Sequence, residues 1–278
     1  MLHEEGKIKA LITLLDDEDV EVTGHVHKEI MSIGEFMIPF LEEEWSRNFN
    51  PLVQKRIEDI IHQLHFERLS YALKKWKTDG AVDLLEGMWL VACYQYPDLE
   101  FKTIHDAIEN VYKQVLPEIK EGLSPTDKVK ALNEVLFGKL KFGANTKNFH
   151  SPYNSMINCV LESKKGNPIS LCVIYYEMAL RLKWPVYGVN LPNLFILTYK
   201  EQGAQFYINA FNKGLIFSRE DIDNYIAQLN FSKNDIFYEP CSSIDIIIRV
   251  LRNLVVSFEK LGDTDRVNEI NTLLESLV

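Results

Sequence analysis

The sequence predicts an α+β protein in which helical regions flank a small antiparallel sheet. Through the first 142 residues, apolar side chains recur at spacings of three and four, a period typical of amphipathic helices. After Pro185 the pattern changes to three short segments rich in β-branched and aromatic residues, VYGVNL, LFILTY and AQFYIN. Helical spacing returns near the end of the chain. We therefore expect three regions, at residues 1–80, 81–240 and 241–278.

The first region contains an internal repeat. A shift of 31 positions superimposes one apolar pattern on another and aligns Asp19 with Asn50, which places a helix-capping residue before each copy. The aligned apolar residues are Val22 with Val53, Val26 with Ile57, Ile30 with Ile61, Ile33 with Leu64, Ile38 with Leu69, and Trp45 with Trp76. A repeat of this length predicts stacked helix hairpins resembling HEAT units. Since a solenoid needs roughly three copies, the region is expected to lean on another domain.

The second region begins with a helical lead-in at residues 81–142 and continues as a core at 143–240. In the lead-in, VDLLEGMWLVACYQY is apolar on almost every side, which predicts a buried helix. FGANTKNFHSPYN, at 142–154, has the composition of an irregular loop. A helix in SMINCVLESKK then leads into KKGNPISLCVIYYEMALRL, where a further helix is predicted to begin at Asn167 and Pro168.

The three strand segments are separated by Pro-Asn and Glu-Gln-Gly, which favours an antiparallel meander. Ser218 and the charged residues after it predict the start of another helix. The third region predicts two helices joined at Gly262 and Asp263, a hairpin that resembles a single tetratricopeptide unit.

Composition limits the possible functions of the chain. Its 278 residues include 40 acidic and 30 basic ones, a net charge of −10, so a general basic surface for nucleic acid is not expected. The N-terminus lacks a signal-peptide pattern, and the apolar runs fall short of the ~20 residues of a membrane span. A soluble, cytoplasmic protein is therefore expected. Four scattered cysteines without a C-x-x-C pair argue against a zinc knuckle or a redox motif. No metal site and no cofactor are expected.

The helix that begins at Asn167 starts where a nucleophile would be stabilised, because free N–H groups at a helix start carry partial positive charge. Such a helix followed by antiparallel strands matches the catalytic frame of papain-like and transglutaminase-like folds. GNPISL at 166–171 and YGVNLP at 187–192, with the segments around them, closely resemble the SirB-type branch of the transglutaminase-like superfamily. The resemblance covers about residues 90–278 and implies a transglutaminase-like core of helices packed on a small sheet.

The same resemblance implies where the catalytic residues would fall, and this chain departs from the pattern at each place. The nucleophile would lie within residues 166–170, where no cysteine stands. Relatives typically have Leu-Pro-Gly-His-Phe where this chain has LPNLF, and Ile-Asp-Pro-Phe-Asn where it has INAFN. The residues at the nucleophile, histidine and acid positions become the groove candidates Pro168, Ser170, Leu194 and Asn209. Secondary candidates are Asn167, Cys172, Asn193 and His150.

The positions of the histidines also indicate, independently of the resemblance, that the strands supply no catalytic base. They stand at positions 3, 25, 27, 62, 65, 105 and 150, so the strand segments contain none. A serine hydroxyl without a base is a poor nucleophile at neutral pH. We expect Cys172 to be a packed thiol, Ser170 to bond the amides of its own helical turn, and Asn193 to supply a turn between strands.

These observations predict a catalytically inactive transglutaminase-like protein that binds a protein or peptide, without a cofactor. A rival interpretation is a hydrolase or acyltransferase with a rearranged site, in which Cys172 or Ser170 acts with His150. A third is a structural scaffold whose groove is filled by side chains such as Leu194 and Phe195.

Overall fold

A computed structural model describes the backbone of residues 2–278 and the side chains from residue 6 onward. The chain forms two compact units, Met1–Ala72 and Leu73–Val278, and each is described by itself. The boundaries drawn from the sequence at residues 80 and 240 stay predictions. Within residues 2–278, no helix combines the length and the apolar character needed to cross a membrane.

The first unit is helical. Its helices are α1 (Leu2–Thr13), α2 (Val20–Ile33), α3 (Ile38–Arg47) and the greater part of α4 (Pro51–Thr78). Asp19 caps α2 by accepting a 2.8 Å hydrogen bond from the N–H of Glu21, and Asn50 caps α4 by accepting a 3.0 Å bond from that of Leu52. Both predicted caps are confirmed.

The two copies of the repeat nevertheless differ, and the predicted second hairpin is wrong. In the first copy Gly34, at φ 80°, ends α2, and Pro39 lies in the first turn of α3. In the second copy α4 runs unbroken through the equivalent positions, His65 and Ser70. Glycine accepts a left-handed backbone and proline stops a preceding helix, whereas histidine and serine continue one. The two copies therefore share the apolar pattern, but the helix break between α2 and α3 has no equivalent in the second copy.

The second unit contains most of the helices. They are the last turns of α4, then α5 (Leu84–Cys93), α6 (Phe101–Val115), α7 (Pro125–Asn133), α8 (Ile157–Ser163), α9 (Pro168–Arg181), α10 (Arg219–Gln228), α11 (Ser243–Leu261) and α12 (Thr264–Leu277). A π-helical segment at Glu134–Lys139 extends α7. Helix α5 is buried, as predicted. Gly262, at φ 72°, ends α11 and Asp263 caps α12, which confirms the predicted junction.

The predicted meander is confirmed. Strands β3 (Val186–Leu191), β4 (Leu194–Glu201) and β5 (Ala204–Asn209) pair antiparallel in chain order. A further strand, β6 (Leu215–Phe217), pairs with β5, and a short parallel pair joins β1 (Gly143–Ala144) to β2 (Lys165–Gly166). The sequence did not predict these last elements, because two or three residues are too short for an alternating pattern.

The two faces of the sheet pack against different helices. Successive side chains of a strand point to opposite faces. One face forms a buried cluster with α10 that includes Val189, Ile196 and Ile222. On the other face Gly188 lies beside both Phe195 and Ile246 of α11, and the Cys172 thiol of α9 donates to the Phe195 carbonyl at 3.6 Å. The sheet therefore separates an α10 layer from a layer that contains α9 and α11.

Gly188 lets α11 lie close to the sheet. A Cβ at this position would lie 2.8 Å from Phe195 Cζ and 3.1 Å from Ile246 Cδ1. We expect Gly188→Ala to lower the free energy of unfolding by about 1–3 kcal/mol, because an added methyl group forces the packed side chains around it to shift. Urea denaturation followed by circular dichroism measures the change.

Gly138→Ala is the matched control, since its new Cβ would meet Glu134 Cγ at an ordinary 3.7 Å. A Gly188→Ala protein as stable as the Gly138→Ala protein would contradict the packing explanation.

Candidate functional site

A cavity of about 350 Å³ lies in the second unit beside the start of α9, and we call it the groove. Four segments line it: the loop before α8, the start of α9, the β3–β4 turn with the start of β4, and one face of α11. The lining residues are Phe149, His150, Asn167, Pro168, Ile169, Asn193, Phe195, Arg249, Arg252, Asn253, Val256 and Ser257. The groove therefore occupies the place where the sequence analysis put a catalytic frame.

Helix α9 begins at a buried capping box. The Ser170 N–H donates to Asn167 Oδ1 at 2.9 Å, and the Asn167 N–H donates back to Ser170 Oγ at 3.1 Å. Asn167 Nδ2 also donates to Ser155 Oγ at 2.9 Å. All three side chains are buried. The predicted helix start, and the predicted bonding of Ser170 to amides of its own turn, are confirmed.

Neither candidate nucleophile is open to the groove. The Ser170 hydroxyl is fully buried and donates to the Asn167 carbonyl at 3.2 Å while accepting the N–H bond described above. The Cys172 thiol is also fully buried and contacts the Phe195 carbonyl at 3.6 Å. Burial raises the pKa of Cys172 well above its ordinary value, because a thiolate is poorly solvated there. Pro168, by contrast, lines the groove directly.

The residue at the matched histidine position points away from the groove. Leu194 packs into the cluster that faces α10, on the opposite side of the sheet from Phe195, which lines the groove. The alternation of side chains along β4 forces this division. A histidine at position 194 would need a different backbone register to reach the start of α9.

The two asparagines fulfil structural roles. Asn193 has φ 55° and completes the two-residue Pro192–Asn193 turn, as its turn interpretation predicted, and it also lines the groove. Asn209, at the matched acid position, ends β5 and accepts the Asn212 N–H at 3.1 Å. Its buried amide thus holds the following turn and does not line the groove.

His150 reaches the groove from the loop before α8. The loop is held by Asn154, whose amide donates to the carbonyls of Asn148 and Phe149 at 2.7 and 3.0 Å. The Phe149 ring packs edge-on against both His150 and Phe211. His150 itself is exposed, so its imidazole and the buried groups of Ser170 and Cys172 occupy different environments.

The α11 wall of the groove was missed by the sequence reasoning. Arg249 donates to Asn190 Oδ1 at 3.1 Å and to the Leu191 carbonyl at 3.4 Å, which ties α11 to the end of β3. Burial lowers the pKa of Arg249, and the neighbouring Arg252 lowers it further. The sequence signal was present: two arginines three residues apart interrupt the apolar run IDIIIRVLRNL.

Comparison with known proteins agrees with this architecture. Residues 102–252 match the model of the transglutaminase-like superfamily. The chain belongs to that superfamily. Its curated relatives include a UPF0162 protein of Xylella fastidiosa (strain Temecula1 / ATCC 700964), 30% identical over 203 residues, which are 68% of this chain and 69% of the relative. F-box only protein 21 of Homo sapiens is 33% identical over 107 residues, 35% of this chain and 17% of that protein. No solved structure matches.

The transglutaminase-like domain of this chain thus has a groove, but the residues that line it are only partly those that the sequence analysis named as candidates. Of the candidate residues drawn from the sequence, Asn167, Pro168, Asn193 and His150 line it. Four candidate side chains do not line it. Ser170 belongs to the capping box, Cys172 and Leu194 pack in the core, and Asn209 holds a turn.

The capping box depends on Gly166. A Cβ at this position would lie 2.4 Å from Ser170 Oγ and 3.0 Å from Val160 Cγ1. We expect Gly166→Ala to lower the free energy of unfolding by about 1–3 kcal/mol. Ser170→Ala should lower it by about 1–3 kcal/mol, because the buried Asn167 N–H loses its acceptor.

Because Ser170→Ala also removes the clashing oxygen, Gly166→Ala should cost less in a Ser170→Ala background than in the wild type. A double-mutant cycle by urea denaturation measures this coupling. Strictly additive effects would mean that the two residues do not meet.

Proposed function

We propose that this chain is a catalytically inactive transglutaminase-like protein that acts in the cytoplasm as a protein- or peptide-binding module. The observation that supports it most is the burial of both candidate nucleophiles, Ser170 and Cys172, beside a groove that is itself open. Nucleophilic catalysis needs an attacking atom that meets substrate and a base within about 3 Å of it. Here the Ser170 hydroxyl is part of the capping box, and the Cys172 thiol packs against the sheet.

The rival hydrolase or acyltransferase has less support. It pairs Cys172 or Ser170 with His150, yet the first two are fully buried and His150 is exposed. A raised pKa for Cys172 further disfavours the thiolate that would have to attack. Ser257 is the hydroxyl residue that lines the groove, and it donates to the Asn253 carbonyl of its own helix at 2.8 Å.

The walls of the groove suit binding. Its volume is within the range of roughly 300–1,000 Å³ typical of ligand sites. Phe149, Phe195 and Val256 supply apolar surface, while Asn193 and Asn253 offer amide groups for hydrogen bonds. Such a combination fixes a bound segment by a few polar contacts within an apolar surround.

The finer assignments belong to the same proposal. The motifs at 166–171 and 187–192 support the SirB-type branch. The hairpin of α2 and α3 supports a HEAT-like element, and the hairpin at 241–278 supports a tetratricopeptide-like one. Elements of these kinds present extended surfaces to partners. The four cysteines are free, in keeping with a reducing compartment.

The inactive state predicts no chemistry at the groove. Purified full-length protein, incubated with amine donors and glutamine peptides, or with ester and amide substrates, should give no turnover above buffer. Mass spectrometry of the products and chromogenic release measure this. Turnover that disappears in Ser170→Ala, Cys172→Ala or His150→Ala would contradict the proposal and favour the rival.

The binding function predicts that filling the groove abolishes peptide capture. Val256 is 42% exposed and lines the groove, so Val256→Trp should occupy it without disturbing the core. Fluorescence polarisation with a mixed-sequence peptide library should show binding to the wild type and at least about tenfold weaker binding to this variant, a loss of about 1.4 kcal/mol.

Leu261→Trp is the matched control, because Leu261 lies on the same helix, is 66% exposed and does not line the groove. Equal affinity of the wild type and both variants would place peptide binding elsewhere on the protein.

A further inference from the structure

The charged residues that line the groove are opposite in sign to the net charge of the protein. The chain carries a net charge of −10, yet the described residues that line the groove include Arg249 and Arg252 and neither aspartate nor glutamate. A cavity with cationic walls in an acidic protein concentrates anions, since low-dielectric walls focus the field.

The two arginines lack an acidic partner. Among the described residues, no carboxylate lies within 4.0 Å of either guanidinium. Arg252 also borders a second cavity that Glu275 and Val278 line, and no ion pair forms across it. Elsewhere in this unit, arginines pair with acids, as Arg181 does with Glu109 at 2.7 Å.

This arrangement is unfavourable in the free protein. Arg249 is half-buried, and its burial lowers its pKa; the like charge of Arg252, which faces the same cavity, lowers it further. The hydrogen bonds from Arg249 to Asn190 and Leu191 hold it in place but do not neutralise it. Local arrangements that cost stability without an internal gain are expected at functional sites, where a ligand supplies the missing interaction.

The remaining walls distinguish the kind of anion. Phe195 and Val256 form apolar surface in the same cavity, and its 350 Å³ suits the end of a peptide rather than a long segment. A terminal residue carries its side chain and its carboxylate on one Cα, so it matches an apolar wall beside a cationic one. An internal acidic residue would require the chain both to enter and to leave the cavity.

We propose that the groove captures the C-terminal carboxylate of a partner peptide through Arg249 and Arg252, with the apolar side chain of that last residue against Phe195 and Val256. This inference rests on the proposed function, of which it names the ligand. A guanidinium pairs with a carboxylate through two parallel hydrogen bonds, which gives both affinity and orientation. The N-terminus of α9, at Pro168 and Ile169, adds partial positive charge to the opposite wall.

The test compares peptides that differ in one group. Hexapeptides with Leu, Val or Phe as the last residue are prepared with a free C-terminal acid, with a C-terminal amide, and with a C-terminal amide plus an internal glutamate. Binding to the full-length protein is measured by isothermal titration calorimetry. The acid form should bind roughly 10- to 100-fold more tightly than either amidated form, as expected for a charged hydrogen-bonded pair.

Arginine variants assign the effect to the groove. Arg252→Gln, at an exposed position, should weaken binding of the acid form by roughly tenfold or more and leave the amide form unchanged. Arg249→Lys keeps the charge but loses the paired geometry, and it should weaken the acid form as well. Arg47→Gln removes the same charge from an arginine of the other unit, paired with Glu43, and should change nothing.

The outcomes separate this inference from the proposed function. Equal binding of acid and amide forms that Val256→Trp abolishes would overturn carboxylate capture and leave peptide binding standing. Tighter binding of the internal-glutamate peptide, lost in Arg252→Gln, would replace the terminal carboxylate with an acidic side chain. Binding of none of the peptides would overturn both proposals.

Discussion

Helix α9 begins in the protein interior, so the N–H groups of its first turn must be satisfied by protein atoms. Asn167 and Ser170 satisfy them reciprocally, and Ser155 anchors the asparagine from the preceding segment. Gly166 leaves the space in which the serine oxygen sits. Because this network fixes where α9 starts, it also fixes the wall of the groove that Pro168 and Ile169 form, and the sheet packs against the helix that follows.

The same network explains why the Ser170 hydroxyl does not line the groove. The Ser170 hydroxyl is fully buried, donates its proton to the Asn167 carbonyl and accepts the Asn167 N–H. Freeing it for a substrate would leave that buried N–H without an acceptor, at a cost of about 1–3 kcal/mol. On the other side of the groove, the pleat of β4 directs Phe195 inward and Leu194 toward α10. Use of the Ser170 hydroxyl in catalysis would therefore compete with its role at the start of α9.

The arginines of α11 illustrate a different balance. A surface ion pair contributes little to stability, but the partial burial of Arg249 without a carboxylate partner costs stability. The hydrogen bonds from Arg249 to the end of β3 offset part of this cost, and they also hold the β3–β4 turn. From the other layer, the Tyr225 hydroxyl of α10 donates to the Pro192 carbonyl of the same turn at 2.9 Å. The turn that carries Asn193 is therefore braced from both layers of the domain.

Local patterns in the sequence determined the meander, the start of α9 at Asn167, the caps at Asp19, Asn50 and Ser218, and the junction at Gly262, because caps, turns and alternation act over a few residues. The unbroken course of α4, the side of the sheet on which Leu194 lies, and the pairing of β1 with β2 depended on contacts between segments distant in the chain. Arg249 and Arg252 could be seen in the sequence as charges in an apolar run, but only the tertiary structure set them opposite Asn167 and Asn193. No local spacing relates α11 to α9, so the composition of the groove was decided when the helices packed.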